Sequence, residues 1–167
     1  MSEGLARQGY ISEEELEGQP GLPSAGRRAK GAVAAIECIQ LIPCNPCEAS
    51  CKAEAIIVGE DITALPVLYE DKCVGCYTCL PACPGQAIFI VDESLEGDRA
   101  TVAMPYEFLP LPEKGEEVIA LERSGAELGP AEVVRVQKSK RMDQTAMVTI
   151  EVPKSWTMKA RALKLKR

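Results

Sequence analysis

All eight cysteines of this 167-residue chain lie between Cys38 and Cys83, and the chain contains no histidine. They form two groups of four: Cys38, Cys44, Cys47 and Cys51, then Cys73, Cys76, Cys79 and Cys83. Without histidine there is no mixed His–Cys zinc site, no histidine-held redox centre and no Ser–His–Asp hydrolase. The 25 acids against 19 bases give a net charge of −6, which argues against general nucleic-acid binding. No apolar run approaches the roughly 20 residues of a membrane span. The start, Met1-Ser2-Glu3-Gly4, lacks the basic and apolar regions of a secretory signal. The expectation is a soluble, cytoplasmic chain whose thiols stay reduced, so metal ligation comes before disulfides.

The second group reads Cys73-x2-Cys76-x2-Cys79-x3-Cys83-Pro84, the spacing that holds cubane iron–sulfur clusters. Four cysteines also suit zinc, but the tight triplet followed by Cys-Pro suits a cubane better. The first group keeps Cys44-x2-Cys47-x3-Cys51, with Lys52 where the pattern has proline, and Cys38 lies further upstream across Ile39 to Pro43. Cys38 as a ligand closes the fourth corner of a cube. As a buried structural thiol it leaves that site to a three-iron cluster or to another ligand. A repeat links the groups: Cys44, Cys47 and Cys51 match Cys76, Cys79 and Cys83 at an offset of 32. The same offset aligns Ala55-Ile56-Ile57-Val58 with Ala87-Ile88-Phe89-Ile90, and a further strand is expected over Leu65 to Tyr69. Gly75 and Gly85 allow close backbone approach, and Pro46 and Pro84 fix the loops. Tyr77, inside the ligand run, either shields the centre from water or is ordinary packing. From Lys30 to Asp92 there are 8 acids and 3 bases, which favours a low reduction potential.

These segments resemble the bacterial two-[4Fe–4S] ferredoxin domain over about residues 30–95. The resemblance implies that three cysteines of one run and the fourth of the other hold each cluster. Cys73, Cys76, Cys79 and Cys51 would hold one; Cys44, Cys47, Cys83 and Cys38 would hold the other. Each cluster would then staple the two halves of a small, thinly cored domain.

The rest of the chain exceeds what a free ferredoxin needs. Residues 1–29 read as an extended polar arm with one short helix starting at the Ser12 cap, ordered only on a partner. Residues 30–97 are the cluster domain, and residues 98–152 a small β docking module. Strands are expected over Ala100–Met104, Glu117–Leu121, Glu132–Gln137 and Ala146–Val152, with Gly129-Pro130 among the turn residues. They form a small barrel or an antiparallel sheet. Residues 153–167 form a basic tail: Lys154 to Arg167 hold six bases and no acid. Trp156 there is either an anchor for a partner surface or packing on the sheet. The fold class is α+β, a duplicated ferredoxin-like domain with a C-terminal β extension. No catalytic constellation is present.

The segments Ala35-Ile36-Glu37-Cys38-Ile39, Ile42-Pro43-Cys44-Asn45-Pro46-Cys47-Glu48 and Pro105-Tyr106-Glu107-Phe108-Leu109-Pro110-Leu111-Pro112 extend the likeness. With the second run they resemble the dicluster small subunits of FAD-dependent amine and amino-acid dehydrogenases, of the proline, hydroxyproline, sarcosine and opine kind. That resemblance implies a relay with two [4Fe–4S] clusters, FAD on a partner subunit, a hetero-oligomer, and no membrane span or nucleic acid. The alternative is a free-standing soluble ferredoxin serving several redox partners.

Overall fold

The computed structural model describes residues 3–142 and 144–166. Its frame is one seven-stranded antiparallel sheet and one two-stranded ribbon. The cysteine region contributes β1 (Val33–Ile36), β2 (Ile56–Ile57), β3 (Val67–Leu68) and β4 (Ile88–Asp92). β1 pairs with β4, and β2 with β3. The C-terminal part contributes β5 (Ala100–Tyr106), β6 (Glu117–Leu121), β7 (Glu127–Gln137), β8 (Ala146–Val152) and β9 (Ala162–Leu165). The strand order is β1-β4-β5-β8-β7-β6-β9, so the extension continues the sheet that begins in the cysteine region. All four residues of β1 are buried, as are Ile88 to Val91 of β4 and all of β8 except Glu151. Strands covered on both faces read as apolar runs rather than alternations. The whole is α+β.

Five short helices complete the fold: α1 (Glu3–Gln8), α2 (Glu13–Leu16), α3 (Ala25–Arg28), α4 (Pro46–Ser50) and α5 (Cys79–Ala82). None among the described residues is long and apolar enough to cross a membrane. The Ser12 cap forms as expected: its hydroxyl accepts from Glu15 N–H, and the Glu15 carboxylate accepts from Ser12 N–H. The N-terminal arm, however, lies on its own chain. Leu16 is buried, Gly21 C=O accepts from Ile36 N–H, and Pro20 C=O accepts from Leu68 N–H. The arm thereby covers the free edge of β1.

Two readings of the C-terminal part need correction. β7 starts at Glu127, so Gly129-Pro130 lie inside a strand. Proline is tolerated there because β7 pairs with β8 only from Glu132 onward, leaving Pro130 a neighbour on one side. Gly129, at φ +145°, has no room for a side chain: a Cβ would sit 2.7 Å from the Trp156 ring. Residues 153–166 are likewise not simply a basic tail, and of the two readings of Trp156 it is packing on the sheet that the structure shows. Trp156 packs on the sheet over Gly129, and β9 forms the second edge by pairing with β6.

A buried ion cluster locks this last segment to the cysteine region. Glu37, directly after β1, accepts from Arg123 Nε and Arg161 Nε, both at 2.7 Å, and from Arg123 Nη2. Arg161 also donates to the carbonyls of Thr157 and Ala160 and stacks 4.7 Å from the Phe89 ring centre. Burial drags its pKa down to about 10, so it stays cationic at neutral pH. Burial pushes the Glu37 carboxyl up, but the hydrogen bonds and charges of both arginines outweigh it. They hold it below its ordinary 4.5. A depressed carboxyl stabilises the fold above its unfolded value and loses that contribution as pH falls through its folded value. Glu37→Gln, which leaves two buried cations unneutralised, is expected to lower unfolding stability by about 3 kcal/mol at neutral pH. The gap to the native protein should narrow as pH drops below 4.5, measured by denaturant melts across pH.

Candidate iron–sulfur centres

The two cysteine groups meet around two small cavities. Cys38, Cys44, Cys47 and Cys83 line the first. Cys51, Cys73, Cys76 and Cys79 line the second. Each cavity thus takes three cysteines from one group and one from the other. The remaining walls are largely aliphatic: Ile36, Ile42 and Ile88 at the first, Ile56, Val74 and Ile90 at the second. Each thiol lies close enough to the others of its own cavity that a thiolate there would be repelled by theirs. Cys38 and Cys47 are influenced by Cys44 and Cys83, and Cys79 by Cys51, Cys73 and Cys76.

The exchange of one cysteine is built by two one-turn helices. Cys47 sits within α4 and Cys79 opens α5, while Cys51 and Cys83 are their C-caps, both out of helical backbone. Past each cap the chain closes the same tight turn. Glu54 N–H donates to Cys51 C=O with φ +51° at Glu54, and Gln86 N–H donates to Cys83 C=O with φ +52° at Gln86. The sulfurs of Cys51 and Cys83 then accept from the N–H of Ala55 (3.3 Å) and Ala87 (3.4 Å). N–H groups aimed at sulfur stabilise its thiolate form and raise the potential of a ligated centre.

Supporting residues fix the loops. Gly75, at φ +62°, lies where a Cβ would be 2.5 Å from the Ala32 carbonyl oxygen, so only glycine fits. Arg27 clamps the start of the second run, donating to the carbonyls of Cys73 (2.6 Å), Glu70 (2.9 Å), Gly31 (3.0 Å) and Ala32 (3.1 Å). Glu48 Oε2 accepts from Val58 and Gly59 N–H, tying α4 to the end of β2. Tyr77 lines the second cavity at φ +69° and carries Arg135 over its ring at 5.5 Å. Arg27, Glu37 and Arg135 escaped the sequence reading. The one signal available was Glu37, a lone carboxylate closing the apolar run Val33 to Ile36, which demands a buried cation.

The donor chemistry suits a polynuclear sulfide centre. Among the described residues, no three cysteine, aspartate or glutamate side chains converge closely enough to hold a single metal ion. A zinc site would need its sulfurs within about 2.3 Å of one point, whereas these thiols stand around a cavity. Burial pushes the Cys47 thiol up to about 11 and the Cys79 thiol up to about 12. Burial also raises Cys38, while the Thr78 hydroxyl, 3.0 Å from its sulfur, lowers Cys76. Buried protonated thiols among hydrocarbon would release protons on binding metal.

Sequence comparison agrees with this chemistry. Residues 66–89, which contain the second cysteine run, match the model of a 4Fe-4S binding domain. One component of the Na+-translocating ferredoxin:NAD+ oxidoreductase complex of Acetobacterium woodii is 40% identical over 50 residues, 30% of this chain. The aligned part spans 14% of that relative's length. No solved structure matches the chain. The chain is an iron–sulfur protein of ferredoxin-like character, with cysteines for 4Fe-4S binding. Gly75→Ala, which forces the second run away from β1, is expected to lower the iron content of the purified protein to about half, measured with acid-labile sulfide.

Proposed function

We propose that this chain is the electron-transfer subunit of a flavin-dependent dehydrogenase complex. Cys51, Cys73, Cys76 and Cys79 hold one [4Fe–4S] cluster, and Cys38, Cys44, Cys47 and Cys83 hold the other. The two halves are copies of one unit, diverged at Cys38 and Lys52. One observation carries the relay: Ile88 lines the first cavity and Ile90 the second, on the same face of β4. Two residues of strand span only about 7 Å, so centres held there stand close enough for single electrons to pass between them. When bound, each cluster supplies one-electron chemistry. The chain's own residues hold the sulfurs, keep water out with the isoleucines of β1, β2 and β4, and aim N–H groups at Cys51 and Cys83.

The partner assignment rests on the resemblance of residues 35–48 and 105–112 to small subunits of FAD-dependent amine and amino-acid dehydrogenases. On that reading a flavin subunit removes a hydride from a carbon next to nitrogen, and this chain passes the electrons on singly to another flavin or an external acceptor. Anaerobic purification from native cells tests it. A flavin-bearing subunit is expected to co-elute at fixed ratio, with about eight irons per copy of this chain. Elution as a lone monomer with that iron would make it a free ferredoxin and overturn the dehydrogenase reading.

A further inference from the structure

We propose that the end of β7 and the residues after it, Arg135 to Lys140, and the mouth of the second cavity together form a docking surface for an acidic electron-transfer protein. The proposal rests on the second cavity being a cluster site. Cys76 is the exposed member of the eight cysteines, so electrons have their shortest path to the surface there. It borders an open groove with Tyr77 and Thr78 on one wall, and Arg135, Gln137 and Met147 of the β7–β8 hairpin on the other. The hairpin belongs to the C-terminal extension and is not part of the cysteine region.

Its charge sets it apart. Residues 135–140 hold three bases and no acid in a chain whose net charge is −6. Arg135, Lys138 and Lys140 are exposed, and among the described residues none is paired with a carboxylate. Bases elsewhere on the sheet are used internally: Arg99 pairs with Glu151, Lys164 with Glu127 and Lys166 with Glu117. A basic rim with no carboxylate partner among the described residues, set beside an electron port, attracts and orients an acidic partner. The groove also contains an unmet polar group: Gln137 Oε1 is buried and has no hydrogen-bond partner among the described residues. A partner side chain or backbone N–H inserted there would satisfy it. The first cavity is different: exposed Ile42 (46%) lines it, and its sequence neighbour Leu41 is also exposed (72%). The two ends therefore favour different neighbours, and the basic end favours the acidic one.

The step is a one-electron transfer in which no bond forms or breaks: one partner loses an electron and the other gains it. The test uses the full-length, cluster-loaded chain reduced with dithionite and mixed by stopped flow with three oxidants. These are anionic ferricyanide, cationic hexaamminecobalt(III), and an oxidised flavodoxin as a small acidic protein carrier. The variant Lys138→Glu/Lys140→Glu is compared with Lys114→Glu/Lys164→Glu, which changes net charge equally but lies elsewhere. The hairpin variant is expected to slow ferricyanide and flavodoxin about tenfold at low salt and to speed the cobalt complex. The control variant should change each rate far less, and the differences should vanish near 1 M salt. Equal effects from both variants, or none from the hairpin, overturn the docking surface. A labelled DNA or RNA oligonucleotide that binds the native chain tightly and loses that binding in the hairpin variant also overturns it, by assigning the rim to nucleic acid. A purified chain without iron, or one that dithionite does not bleach, would instead fail the cluster reading.

Discussion

The structure depends on two C-caps. Where α4 and α5 end, Cys51 and Cys83 turn away from their own helices into the opposite cavity. Because each cavity draws on both halves of the cysteine region, neither site exists until both halves are in place. Helices of four and five residues have little stability of their own. Their geometry is held by tight turns at Glu54 and Gln86, by packing on each other, and by packing of α4 on β2 and of α5 on β4. A cluster bound there would therefore couple its binding to folding, as in other small metal-organised domains.

The C-terminal extension is joined to this core twice over. Sheet pairing from β4 to β5 makes the two parts one hydrogen-bonded surface. The Glu37–Arg123–Arg161 cluster fastens the last segment of the chain to the residue next to Cys38. A buried carboxylate with two guanidiniums is weak evidence for net stability, but losing any one of the three strands a buried charge. The placement of the first cavity is thereby tied to a segment more than a hundred residues away in sequence, and that of the second, through Tyr77 and Arg135, to β7. The extension is thus both a second wall for the redox region and the carrier of its basic face.

Much of this was legible in the cysteine spacing. The offset of 32 placed Ile56-Ile57 and Ile88-Phe89 as strands. The grouping of Cys38 with Cys44, Cys47 and Cys83 came from the family resemblance rather than from spacing, and those four line one cavity. Strands Glu117–Leu121 and Ala146–Val152 could be read from their apolar patterns. Gly129-Pro130 could not. Locally the pair signals a turn, and only the absence of a β8 neighbour and the presence of the Trp156 ring keep it in a strand. The basic end of the chain misled for a similar reason. Composition says solvated tail, yet Leu163 is turned inward on β9 and Arg161 answers a carboxylate 124 residues away. Long-range partners of single charges leave no local pattern to read.

The exchange of cysteines between the halves is most directly tested by serine substitution followed by EPR of the reduced protein, one cysteine at a time. The account expects Cys51→Ser to perturb the same cluster signal as Cys76→Ser, and Cys83→Ser the same signal as Cys44→Ser. If Cys51→Ser instead alters the signal governed by Cys44, each half holds its own cluster and the crossed arrangement is wrong.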